Sequence, residues 1–226
     1  MQQLLLNLDT ASTPTLETFI PGQNAEVLHL FRQMATGNSC DRFVYIWGDA
    51  AVGKTHLLRA MSQLCPARFL DPSSSVEEFA WTPNIVLYLI DDCERLDNEQ
   101  QIASFNLFNQ IRESGSASMI ASGSTSPLAL PLRDDLKSRL CWGLVYQIHG
   151  LTDEEKVDAL TEHAKARGFT LSQGVLPYLI THYRRDMHSL SMMLDALDRY
   201  SLQTKRIITL PLLHDLLQKN MNRHED

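Results

Sequence analysis

The chain has 226 residues, 44% of them hydrophobic and 21% charged, with a formal net charge of −7. That length holds one large domain or two modest ones, and the composition is that of a globular protein, not a disordered or fibrous one. The acidic balance argues against a protein held mainly by phosphate backbones, so DNA contact is expected to be indirect or weak; no apolar run nears the ~20 residues of a membrane span, so no membrane partner is expected.

In chain order, "MQQLLLNLDT" places Leu4, Leu5, Leu6 and Leu8 close to a chain end. Chain ends fray, so these leucines need something to cover them, either the chain's own core or another protein. "NAEVLHLFRQM" follows as a helix, with Val27, Leu30, Phe31 and Met34 at helical spacing. "RFVYIWG" reads as a buried strand ending in glycine, and "GKTHLLRAMSQLC" as a helix with Leu57, Leu58, Met61 and Leu64 on one stripe. Strand, glycine turn and helix in that order begin an α/β unit. "ARFLD" reads as a short strand and "PSSSVEEFA" as a short helix capped by Ser73, Ser74 or Ser75.

"NIVLYLIDD" is apolar throughout and ends in two carboxylates. A strand apolar on both faces is expected at the centre of a parallel sheet covered by helices on each side. "NEQQIASFNLFNQIRESG" reads as an amphipathic helix closed by Gly115, "SASMIASGS" as a strand, "LRDDLKSRLCWG" as a short helix closed by Gly143, and "LVYQI" as a fifth strand. After residue 150 the pattern turns helical. "TDEEKVDALTEHAKARG" carries a capping box at Thr152 and Glu155 and stops at Gly168, and three helices follow over roughly 173–183, 186–200 and 209–219. The expected fold is α/β with a five-stranded parallel sheet and an all-helical region behind it. The expected organisation is an arm over 1–16, an α/β base over 17–150 and a helical lid over 151–226.

The four cysteines are far apart and the eight histidines form no metal-type spacing, so reduced thiols and no zinc site are expected. No basic flank precedes an apolar run at the start, and a cytoplasmic protein is expected. Arg184, Arg185, Arg199, Lys205 and Arg206 lie close together late in the chain, as a solvated helix face or a local basic patch.

Residues 48–55, "GDAAVGKT", complete the pattern G-x-x-x-x-G-K-[ST] between a predicted strand and a predicted helix. Small residues from Gly48 through Ala50, Ala51, Val52 and Gly53 let backbone amides wrap a phosphate, and the helix N-terminus adds its dipole. Lys54 reaches the β/γ-phosphates, and Thr55 offers a hydroxyl to Mg2+. At the end of the apolar strand, Asp91 can hold the metal through water and Asp92 can polarise an attacking water.

"YIWGDAAVGKTHLLRAM", "LYLIDD", "LFNQIRESG" and "DLKSRLCWGL" together resemble the AAA+ ATPase module of the DnaA family. The resemblance runs from "ETFIPGQN" through the helical lid. No helix-turn-helix DNA-binding domain is expected after it, a pattern similar to the DnaA-related AAA+ regulators of the Hda type. It implies ADP or ATP with Mg2+ as cofactors, with Ile20 and His56 beside the nucleotide. It implies two partners, the DnaA initiator and the DNA polymerase III β sliding clamp. Residues 3–8 resemble the clamp-docking motif, with the amide of Gln3 at a pocket edge and Leu4, Leu6 and Leu8 in an apolar groove; Asn7 stands where the motif often has proline. Arg139 matches the arginine that such modules insert into a neighbour's ATP site, and its planar, permanently charged fork suits phosphate.

The implied function is negative regulation of DNA replication initiation, by stimulating ATP hydrolysis on DnaA in concert with the DNA-loaded clamp. Two departures from the family stand out. His188 occupies the sensor 2 position in place of arginine, with Arg185 three residues earlier. Ser122 or Ser124 takes the sensor 1 role in place of Asp or Thr. Own-site turnover is therefore expected to be weak or nil. An autonomous P-loop ATPase that remodels or loads another replication factor is the alternative, a non-catalytic adaptor is a third reading, and head-to-tail self-association is open to such modules.

Overall fold

Five segments pair in parallel: Phe43–Trp47 (β1), Ala67–Leu70 (β2), Leu87–Ile90 (β3), Ser118–Gly123 (β4) and Leu144–Gln147 (β5). The order across the sheet is β2-β3-β4-β1-β5. This computed structural model describes residues 13–183 and 186–221. Every residue of β3 is buried, as its continuous apolar run predicts. It is an interior strand, but the middle of the sheet belongs to β4. Apolarity on both faces records cover above and below, which the three interior strands share, and carries no information about order.

Successive side chains of each strand feed opposite faces. Tyr45, Tyr88, Ile90, Met119 and Ala121 join one core with Leu107, Phe108 and Ile111 of Asn98–Ser114 (α3) and Leu136 and Leu140 of Asp134–Leu140 (α4). Val44, Ile46, Leu87, Leu89 and Ile120 join the other with Phe31 of Ala25–Ala35 (α1) and Leu57, Leu58 and Met61 of Lys54–Met61 (α2). Leu16 is buried in that second core, so packing of the base begins before residue 17. The serine-rich segment forms a single turn of 3-10 helix, Val76–Phe79, whose capping box uses Ser75 and Glu78.

The chain divides into two compact units, the first Thr13–Gly150 and the second beginning at Leu151. In the second, Asp153–Ala166 (α5), Val175–His182 (α6), Met187–Thr204 (α7) and Leu210–Met221 (α8) enclose a core that includes Leu160, Leu179, Leu194 and Leu213. The Thr152–Glu155 capping box closes the first turn of α5. Asp195 of α7 receives His163 of α5 at 2.8 Å and Arg167 at 3.0 Å, tying those elements together. The late basic residues are partly occupied: Arg206 pairs with Asp215, and Arg199 Nε donates to the Asp195 carbonyl. Arg184 and Arg185 lie outside the described residues.

No helix among the described residues is long and apolar enough to cross a membrane, and none of their His, Cys, Asp and Glu side chains form a cluster of three that could hold a metal. All four cysteines are free: Cys40 and Cys141 exposed, Cys65 half-buried, Cys93 buried. Burial raises the Cys93 thiol far above its ordinary range, with a further push from Glu94, and burial also raises Cys65. A raised pKa leaves less reactive thiolate at a given pH. At pH 8, Cys40 and Cys141 are therefore expected to react promptly with a thiol reagent, Cys65 more slowly, and Cys93 only on unfolding. Pulsed alkylation read by mass spectrometry checks this; rapid labelling of Cys93 in the folded protein would contradict the buried position.

Candidate functional site

All strands run the same way, so the loops after β1, β3 and β4 open on one edge of the sheet. The loop of residues 48–53 leaves β1 and enters α2 at Lys54. Outside the turn at residues 50–51, the backbone amides of the loop find no protein acceptor among the described residues. These orphan donors, converging at a helix N-terminus, suit an anion of phosphate type. The residue preceding α2, Gly53, has φ +103°, and a Cβ there would meet the Phe19 ring at 2.6 Å, so glycine answers to both a strained backbone and a close approach. The loop is held from the far end of the base as well. The buried side chain of Asn24 donates to the His149 carbonyl at 2.9 Å and accepts from the His149 amide at 2.8 Å. That tie holds the residue after Ile148, whose carbonyl lies against Gly48.

Lys54 is 8% exposed, and its ammonium donates to the carbonyls of Gly48 at 2.7 Å and Asp49 at 2.8 Å. Two donors thus order the loop around it, and an ammonium has a third. Thr55 Oγ1 donates to Asp91 Oδ2 at 2.7 Å, while Ser122 Oγ donates to Asp91 Oδ1 at 2.5 Å and accepts from the Asp92 amide at 3.2 Å. The first turn of α2 and the end of β4 thereby share the one buried carboxylate that follows β3. A hydroxyl and a carboxylate side by side are the oxygen donors a Mg2+ ion takes, with water in its other positions, so this pair fits the metal and the loop fits the phosphates.

Ser124 is exposed and takes no part in the network. Asp92 has φ +49°, and its carboxylate pairs with Arg95 at 3.2 Å on the surface, not with the Asp91 network. Left-handed backbone at a non-glycine residue turns the side chain away from the direction the strand would give it. His56, in the first turn of α2, contacts the Thr15 carbonyl at 3.0 Å and Thr18 Oγ1 at 3.3 Å, and its ring lies 5.8 Å from that of Phe19. It fastens the segment leading to half-buried Ile20 against the phosphate-loop helix.

Arg139, in the last turn of α4, lies on the opposite face of the sheet from α2. Its guanidinium carbon sits 5.2 Å from the Phe105 ring, 5.7 Å from Phe108 and 6.0 Å from Trp142, and its Nε is buried without a hydrogen-bond partner among the described residues. His188 is exposed in the first turn of α7 in the helical unit. Gln3, Leu4, Leu6, Leu8 and Arg185 lie outside the described residues. The Asn24 tie and the approach of Phe105 and Phe108 to Arg139 carried no sequence signal, because those partners are separated by many residues.

A family model described as "Hda, lid domain" matches residues 153–217. An uncharacterized protein of Haemophilus influenzae is 40% identical over 231 residues, covering 96% of this chain and 98% of that one. Domain III of the Thermotoga maritima replication initiation protein DnaA superposes with a TM-score of 0.73 at 20% identity, over 92% of this chain and 97% of that one. AMPPCP-bound DnaA from Aquifex aeolicus gives a TM-score of 0.69 at 21% identity, over 86% of this chain and 67% of that one. At these identities the structural likeness is one of fold.

Proposed function

Given that this chain belongs to one family with its Haemophilus relative and carries an Hda-type lid on a DnaA-like AAA+ fold, we propose that it is a DnaA-related regulator that binds a nucleotide and activates ATP hydrolysis by the DnaA initiator. Its own site holds ADP or ATP with Mg2+. The loop amides and Lys54 take the phosphates, Thr55 and Asp91 the metal, and Ser122 orients Asp91. When bound, the metal neutralises phosphate charge. With Asp92 paired to Arg95 and histidine at position 188, this site serves mainly to hold a docking-competent form and turns over slowly or not at all.

The placement of Arg139 carries the regulatory reading. A side chain on the sheet face opposite the phosphate-loop helix is poorly placed for its own nucleotide and available to a neighbour's. In that role Arg139 stabilises charge on the phosphate leaving DnaA's ATP. The arm supplies the encounter: Gln3, Leu4, Leu6 and Leu8 dock on the DNA-loaded β clamp, and tethering raises the local concentration near DnaA. The outcome is down-regulation of replication initiation in the cytoplasm.

The test is phosphate release by DnaA from the same organism, with and without DNA-loaded clamp. Wild-type protein is expected to accelerate release only with clamp, and a variant with Gln3, Leu4, Leu6 and Leu8 changed to Ala is expected to lose at least tenfold of that effect at limiting concentration. Acceleration independent of both clamp and arm would remove the tether. No acceleration, together with brisk turnover by this chain alone, would favour a remodelling ATPase.

A further inference from the structure

Trp142 is 59% exposed, yet two guanidiniums lie over its ring, Arg112 at 5.4 Å and Arg139 at 6.0 Å. Neither arginine has a carboxylate partner among the described residues. Proteins commonly set an arginine's plane with a bidentate carboxylate. Such a pairing would orient Arg139 but also neutralise the charge it brings to a phosphate. Aromatic faces orient a guanidinium by quadrupole attraction and leave its charge intact. Here Phe105 and Phe108 approach it from α3 and Trp142 from the turn after α4.

The turn that carries Trp142 is itself anchored. The Trp142 amide donates to the Arg139 carbonyl at 3.0 Å, and the following residue, Gly143, packs so closely on the Phe43 carbonyl that any side chain there would collide. The indole is thus placed relative to Arg139 by backbone. The buried Nε, without a hydrogen-bond partner among the described residues, shows the cost of the arrangement: the stem is kept out of water without a hydrogen bond in return.

We propose that Trp142 is a positioning residue for Arg139, fixing the plane of the guanidinium in the free protein so that it enters a neighbour's ATP site already oriented. This rests on the reading of Arg139 as an in-trans finger. Without the indole, Arg139 gains rotamers that must be lost again at each encounter, which lowers the maximal stimulated rate and leaves the affinity of the encounter alone.

The experiment titrates full-length protein into DnaA with DNA-loaded clamp and reads two quantities, the plateau rate of phosphate release and the half-saturating concentration. Trp142→Ala is expected to lower the plateau about fivefold, the loss corresponding to one cation–π contact, with half-saturation changed less than twofold. Trp142→Phe, which keeps a ring, is expected to restore most of the plateau. In the free proteins, the Arg139 Nε–H resonance is expected to show a ring-current displacement that shrinks in Trp142→Ala and persists in Trp142→Phe. Unchanged thermal midpoints establish that both variants fold. A raised half-saturation with a full plateau would make Trp142 a docking contact and overturn the proposal. If Arg139→Ala abolishes stimulation while Trp142→Ala keeps the full plateau, positioning fails and the finger reading stands. If Arg139→Ala leaves stimulation intact, the finger reading falls and the positioning role falls with it.

Discussion

Arg139→Ala is expected to reduce the stimulated hydrolysis by DnaA about 10³-fold or more, the range over which arginine fingers act in related nucleotide hydrolases. The expectation is specific because little else depends on this side chain. Among the described residues Arg139 forms no salt bridge, and its Nε is buried without a hydrogen-bond partner, so truncation removes an unsatisfied donor along with its ring contacts. The fold and the variant's own nucleotide binding should persist, since the phosphate loop lies against the other sheet face. Lysine in its place keeps a charge but not the planar fork, and should recover little of the rate. Single-turnover hydrolysis of DnaA-bound ATP, beside the thermal midpoint of the variant, measures both. Stimulation within twofold of wild type by a folded Arg139→Ala would refute the in-trans role.

Lys54→Ala is expected to weaken nucleotide binding at least about 100-fold, because each charge-assisted hydrogen bond to phosphate contributes about 1.5–3 kcal/mol. The loss has two sources in this protein. The ammonium is the charge the phosphates would meet, and it is also what gathers the loop carbonyls of Gly48 and Asp49. A ligand that binds only the folded state raises stability by about 2.7 kcal/mol at a hundred times its dissociation constant. Wild-type protein should therefore show a nucleotide-dependent rise in thermal midpoint that the variant lacks at the same ADP–Mg2+ concentration. If the variant loses both the thermal shift and the stimulation of DnaA, the resident nucleotide controls docking. If it loses the shift but stimulates normally, the nucleotide is a structural ligand and the adaptor reading gains.

How much of this was legible in the sequence differs by element. The phosphate loop was, because its amides, glycines, lysine and hydroxyl are contiguous over residues 48–55. So were the five strands and the capped helices, since each is set by side-chain period and by end residues such as Thr152 and Glu155, within one element. Of the two candidate serines, however, only packing distinguishes Ser122, buried under Asp91, from exposed Ser124. Alternation along β4 allows either, and the choice depends on where the strand ends against its neighbours. Asp92 was legible as a carboxylate beside Asp91, but not its left-handed backbone or its pairing with Arg95.

By itself, then, the sequence determined which segments become strands and helices, where a phosphate can be held, and which family's motifs the chain carries. Only the tertiary structure decided the strand order, which inserts β4 between β1 and β3 and so delivers Ser122 to Asp91 and Asp91 to Thr55. It also decided that Arg139 rests on aromatic rings away from the phosphate loop, and that Asn24 grips His149. The division has a physical cause. Local sterics, hydrophobic period and end capping act over a few residues, so they are written where they act. Strand order and aromatic contacts arise from competition among segments of similar apolarity far apart in the chain, and are settled only when the whole core packs at once.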